Sequence, residues 1–103
     1  MGNMKYGFTP THPGEVLKDE VEYRKLSQTQ LAKQMGMSYK VLNDILNERR
    51  PLTTTTAMLF EAAMGVPADA LMRLQLKYNM QVASQDKTFI SRLAEIRKIA
   101  AIL

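Results

Sequence analysis

The side chains best equipped for chemistry crowd into one segment, Ser27 to Arg50, SQTQLAKQMGMSYKVLNDILNERR. Tyr39, Lys40, Asn43 and Asp44 stand within it as candidate base readers. A lysine ammonium donates to guanine O6 and N7, an asparagine amide brackets adenine N6 and N7, and an aspartate accepts from cytosine N4. Tyr39 has a second reading as a surface aromatic packed on a neighbour. Asp44, repelled by phosphate, has a second reading as a residue that faces solvent. Around these four lie groups suited to phosphate: Ser27, Gln28, Thr29, Lys33, Ser38, Arg49 and Arg50. Hydroxyls, side-chain amides and the free backbone amides of a helix start form an anion site, and arginines extend it. For Lys33 a solvated charge is the competing reading.

Such groups act together only if one helix is held out and another supports it. Ser27 and Gln30 match an S-x-x-Q capping box, which starts a helix and pairs two otherwise orphaned amides. Leu31, Ala32 and Met35 share a face of that helix. Gly36 supplies a left-handed stop. Ser38 then caps a helix carrying Val41, Leu42, Ile45 and Leu46. Pro51 ends it, because the residue before proline avoids helical angles. Ala32, Gly36, Leu42 and Ile45 make the structural turn: a small side chain where the helices meet, a positive φ, and two apolar groups aimed back into the angle. This is the residue logic of a helix-turn-helix over 27–47, whose second helix enters the DNA major groove. A corner between two helices that touches no DNA shares part of the pattern.

The rest of the chain reads as helix broken by Gly and Pro. Met1 to Thr11 forms a loose arm. A first helix starts at Pro13, where a missing N–H is harmless, and carries Val16, Leu17 and Val21. One of Thr53 to Thr56 caps a fourth helix, which runs through Met58, Leu59, Ala62 and Ala63 to Gly65. Pro67 opens a fifth, with Leu71, Leu74 and Tyr78 on one stripe and Met72 and Leu76 on another. That wide arc leaves one side for a partner. After a polar break at 83–86, Phe89, Leu93, Ile96, Ala100 and Leu103 follow heptad spacing. This seam either joins two copies or closes the monomer core. The division is therefore an arm at 1–11, a helical domain at 12–82 and a terminal helix within 83–103.

Composition narrows the function further. The chain has 103 residues, no cysteine, one histidine and a formal charge of +4 (14 bases against 10 acids). Without cysteine there is no disulfide framework, zinc finger or thiol chemistry. Residues 27–51 and 86–103 each carry four bases and two acids, so the excess sits in two segments. No apolar run approaches the roughly 18 to 20 residues of a spanning helix. The start does not read as a signal peptide, and Tyr6 stands where myristoylation wants Ser or Thr. An enzyme is the poorest reading, since no G-x-S-x-G, H-E-x-x-H or P-loop occurs. His12 reads as a cap or packing group. Glu15, Asp19, Glu20 and Glu22 read as a solvated helix face, and the eight methionines as core filler. Neither a metal, a cofactor, a small-molecule substrate nor a membrane is expected. The expected compartment is the cytoplasm, at the nucleoid.

The segment Gln28–Arg50 resembles the XRE, or phage-repressor-like, helix-turn-helix family. His12-Pro13-Gly14-Glu15-Val16-Leu17 is similar to the H-P-G-E-x-L opening of its HigA/VapI subgroup of plasmid-maintenance antidotes. Ile45-Leu46-Asn47, Arg49-Arg50-Pro51 and Leu74-Gln75 with Tyr78 extend the likeness, which covers residues 12 to about 80. The resemblance implies an all-α, five-helix lambda-repressor-like DNA-binding domain with an additional C-terminal helix. It implies an antitoxin that neutralises a RelE-like mRNA-cleaving toxin and represses its own operon. The alternative is a stand-alone repressor without a toxin, or a protein-binding inhibitor in which DNA contact is secondary. One reading helix touches little DNA, so a homodimer spacing two helices by about 34 Å on a double-stranded operator is expected, with helix five and the terminal helix as its candidate seam. Two regions depart from the subgroup. Val66-Pro67-Ala68 and Ala70-Leu71 replace its usual Ser-Pro and aromatics, and Glu48 stands where Gly usually follows Asn47. A non-Gly residue in the left-handed region costs about 1 kcal/mol, so either Asn47 takes that conformation or the helix ends differently.

Overall fold

In the computed structural model, which describes residues 11–102, six helices follow one another: α1 Pro13–Tyr23, α2 Gln28–Met35, α3 Tyr39–Leu46, α4 Thr54–Met64, α5 Ala68–Ser84 and α6 Lys87–Ile102. No strand occurs among the described residues. The arm expected at 1–11 lies outside them except for Thr11, as does Leu103 of the heptad seam.

Local sequence decides each helix start. The His12 ring accepts the Gly14 amide through Nδ1 at 2.8 Å, and Pro13 takes the first helical position. Ser27, Ser38 and Thr53 accept from the amides of Gln30, Val41 and Thr56 at 3.3, 3.1 and 3.3 Å. Each relieves one of the orphaned donors of a first turn. Only half of the expected capping box forms. Among the described residues Gln30 returns no side-chain bond to Ser27, and it lines a shallow groove with Arg24, Leu31 and Gln34 instead.

Helix ends follow one device, used three times. After α2, Gly36 turns left-handed (φ 71°), its N–H donates to Lys33 O at 3.1 Å, and that of Met37 donates to Ala32 O at 3.0 Å. This pair of reverse bonds is a Schellman cap. Lys25 (φ 55°) ends α1 in the same way, with Lys25 and Leu26 donating to Glu22 and Val21. Glu48 (φ 64°) ends α3, with Glu48 donating to Ile45 O at 3.1 Å and Arg49 to Asp44 O at 2.8 Å. Asn47, at φ −102°, does not take the left-handed conformation. Glu48 takes it, at the usual glycine position.

Packing closes α1 to α5 around Leu17, Val21, Leu31, Ala32, Leu42, Ile45, Leu46, Leu52, Ala57, Phe60 and Leu71, all buried. Neighbouring helices pack as α1 on α3 and α5, α2 on α3 and α4, and α4 on α5. From α4, Ala57, Phe60 and Met64 point inward, whereas Met58 and Leu59 are exposed. That helix is apolar nearly all round, so periodicity cannot choose its inner face. Gln75 is buried on α5, and its Oε1 accepts the Leu52 amide at 2.8 Å. Arg24 reaches across from the end of α1 and donates to the terminal carbonyl of α4, Met64 O, at 2.8 Å.

The terminal helix stands apart. α6 packs on α5 and buries none of its own residues. Phe89, Ile96, Ile99 and Ile102 are exposed, and Leu93 is half-buried. The reading in which this seam closes the monomer core is overturned. The core is complete without it.

Candidate nucleic-acid interface

α3 is anchored along one side and free along the other. Leu42, Ile45 and Leu46 are at most 1% exposed, so the helix is held by its whole inner stripe. Ala32 fills the corner, 2% exposed, and lets α2 lie close. The approach to α1 is closer still. A methyl on Gly14 would overlap the Ile45 carbonyl oxygen, so only glycine lets α1 meet the α3 backbone there. Of the four expected turn residues, Ala32, Leu42 and Ile45 are buried and Gly36 takes φ 71° after α2.

The outer surface opens at the Ser38 cap. Tyr39 is 51% exposed and the Lys40 side chain 81%. Both extend from the first turn of α3. Asn43, one turn on, is half-buried and occupied. Its Nδ2 donates to Gln28 Oε1 at 3.1 Å, and its Oδ1 accepts from an Arg49 terminal nitrogen at 2.8 Å. The start of α2, the middle of α3 and the loop beyond α3 are thus tied by side chains.

Asp44 departs from both of its expected placements. Its side chain is only 12% exposed, so it neither projects toward a base nor faces solvent. Lys40 Nζ lies 3.1 Å from Oδ2, Arg49 Nε 3.2 Å from Oδ1, and Arg50 NH2 3.8 Å from Oδ2. The Lys40 hydrogen bond, ahead of that from Arg49, holds the carboxyl below the ordinary carboxylate range despite its burial. Asp44 is an internal counter-ion beneath a basic surface.

The phosphate candidates divide. Ser27 and Ser38 serve as caps, Gln28 is bonded to Asn43, and Thr29 is exposed at the start of α2. Arg49 and Arg50 leave the Schellman cap with half-exposed side chains bent toward Asp44. Lys33 is exposed and outside this network among the described residues. Two contributors were not among the site residues expected from sequence. Lys18 of α1 donates to Asn47 Oδ1 at 3.1 Å, and Asn47 Nδ2 donates to Asn43 O at 2.9 Å. Asn47 thereby sets the end of α3 against α1.

A capped helix pair joined at a left-handed glycine, with the second helix exposed at its start and followed by two arginines, defines a helix-turn-helix protein. The helix-turn-helix family profile matches residues 17–71. Virulence-associated protein I of Dichelobacter nodosus is 35% identical over 81 residues, covering 78% of this chain and 75% of its own. A HigA-family addiction-module antidote from Coxiella burnetii superposes with a TM-score of 0.68 at 32% identity, over 74% of this chain and 84% of its own. PA4674 of Pseudomonas aeruginosa, solved with its 18-base-pair operator DNA, gives 0.68 and 32% over 75% and 84%. The chain belongs to the XRE-type helix-turn-helix family, among its HigA- and VapI-like antidote proteins. That family consists of DNA-binding regulators, not enzymes. No described helix is long and apolar enough to cross a membrane.

Proposed function

We propose that this protein is an antitoxin that binds operator DNA through α3 and represses its own operon. The observation that carries the reading is the exposed start of α3, Tyr39 and Lys40, backed by Arg49 and Arg50. Similarity over three quarters of the chain to a protein solved with its operator supports it. Tyr39, Lys40 and Asn43 read base edges. Asn43 does so by exchanging its bond to Gln28 for a bond to a base, while its Oδ1 keeps Arg49 on one of its two lone pairs. The amides at the start of α2, with Ser27, Gln28, Thr29 and Ser38, and the guanidinium groups of Arg49 and Arg50 hold phosphates. With roughly four cationic contacts per dimer, the logarithm of affinity falls with that of salt at a slope near −3 to −4. Titration of a labelled operator with Lys40→Ala and Asn43→Ala tests the assignment. Each variant weakens binding about tenfold and relaxes preference at one base pair. Unchanged affinity and preference in both would remove α3 from the groove.

The two-fold partner is a second copy. Since α6 adds nothing to the core, its apolar seam is free to pair, and Phe89, Leu93 and Ile96 lie along it. Light scattering of Phe89→Glu/Ile96→Glu checks this. The double variant runs as a folded monomer, and a persisting dimer moves the seam to α5. The expected toxin is a RelE-like mRNA-cleaving protein, as the resemblance to the HigA/VapI subgroup implies; the solved relative is an addiction-module antidote. Co-purification with the product of the neighbouring reading frame decides between this and a stand-alone repressor.

A further inference from the structure

We infer that Asp44 is the specificity-determining residue of this surface: it fixes the directions of Lys40, Arg49 and Arg50 and offsets one of their three charges. The surface is thereby matched to one arrangement of bases and phosphates and disfavours duplexes in general. The inference rests on the DNA-binding reading above.

A carboxylate beneath a DNA-facing surface is unfavourable for binding, because phosphate repels it. Its place is explained by what it organises. Both oxygens are engaged, Oδ1 by Arg49 and Oδ2 by Lys40 and Arg50. Lys40 comes from the preceding turn of α3, and the arginines come from beyond its end. One buried atom group therefore joins the two ends of the reading helix. Arg49 is held at three points: Nε on Asp44, a terminal nitrogen on Asn43 Oδ1 at 2.8 Å, and its backbone N–H on Asp44 O. An arginine fork fixed in this way presents its remaining donors in set directions, which suits oriented contacts. In an αL-capped helix the residues at the Asp44 and Arg49 positions commonly meet through an apolar contact. Here they meet through an ion pair instead.

Charge and geometry have separable consequences. Non-specific binding depends on phosphate neutralisation alone, whereas specific binding also needs base-edge geometry. Replacing Asp44 by Asn raises the local charge from +2 to +3 (three cations less one carboxylate). It also removes the ionic anchor. Non-specific affinity then rises or holds, specific affinity falls, and the ratio between them collapses. A merely structural role would lower the folded fraction and leave that ratio unchanged.

The test begins with wild-type full-length protein selecting duplexes from a random-sequence pool. Affinities for the enriched site and for a scrambled duplex of the same length are then measured for wild type and Asp44→Asn across a salt series. The expected result is a specificity ratio at least about tenfold lower in the variant, with a steeper salt slope on the scrambled duplex by about 1 per protomer. A ratio within twofold of wild type overturns the inference while leaving DNA binding intact. If wild type enriches no sequence, the DNA-binding reading falls and this inference with it. Should Asp44→Asn fail to fold, Arg49→Lys decides by the same criterion. It keeps the charge but has one nitrogen where arginine spans Asp44 and Asn43 with two, so its direction is no longer fixed and its ratio also falls about tenfold, and a ratio within twofold of wild type is again the refuting result.

Discussion

Gly14→Ala is the substitution for which local and tertiary reasoning give opposite signs. Gly14 lies in the first turn of α1. By helix propensity alone, alanine there stabilises by up to about 1 kcal/mol. The added methyl, however, would overlap the Ile45 carbonyl oxygen and lie 3.2 Å from its carbon and 3.0 Å from His12 Nδ1. The obstacle is backbone of a buried helix, which has no flexible end to swing away. Overpacking of this kind costs about 1–3 kcal/mol, and displacing the His12 cap adds about 1. Net destabilisation of about 1–3 kcal/mol follows once the propensity gain is subtracted. For a domain of this size it lowers the melting temperature by roughly 5–20 °C. Urea titration followed by circular dichroism measures it. Because the displaced partner is α3, affinity for operator drops further than the loss of folded protein explains. A Gly14→Ala protein as stable as wild type, or more stable, would refute the close approach of α1 to α3.

Three further outcomes follow from the caps and the buried polar groups. Glu48→Gly relieves a left-handed residue and stabilises by about 0.5–1 kcal/mol, the relief being partly offset by the freer unfolded chain; no gain in urea midpoint would mean that the Glu48 side chain contributes more than its backbone strain removes. Burial holds His12 below its ordinary pKa of 6.5, with the Glu48 charge acting in the opposite sense. The unfolded chain then takes up the proton first, so stability is complete above about 6.5 and declines as pH falls through the lower folded value. His12→Asn, a cap that does not titrate, flattens the stability profile below about pH 6.5, and an unaltered slope there would assign the titration elsewhere. Gln75→Leu leaves the Leu52 N–H unpaired under α5 and costs about 1–3 kcal/mol by denaturant titration, whereas a neutral result would show that water reaches that amide.

Much of the candidate site was legible because it is written in short-range patterns. Ser27, Gly36 and Ser38 act on amides within a few residues of themselves, and Leu42 and Ile45 fall on one helical face by spacing alone. Chain-local chemistry therefore determined the six-helix layout and the corner at 27–47. Other features depend on partners distant in the chain. Gln75 is polar in sequence and buried in the fold because the amide that follows Pro51 needs an acceptor 23 residues away. The inner face of α4 was settled by which side met α2 and α5, since apolar residues on every side gave its period no preference. Glu48 accepts a left-handed turn that its own side chain disfavours, because the surrounding helix ends require the chain to reverse there. Asp44 looked like an outward acid until Arg49 and Arg50 folded back over it. Which helices form is a question of hydrogen bonds within a turn or two, answered by neighbours in sequence; which side chains are free to meet DNA depends on what packs against them, and only assembly of α1, α2 and α3 decided that.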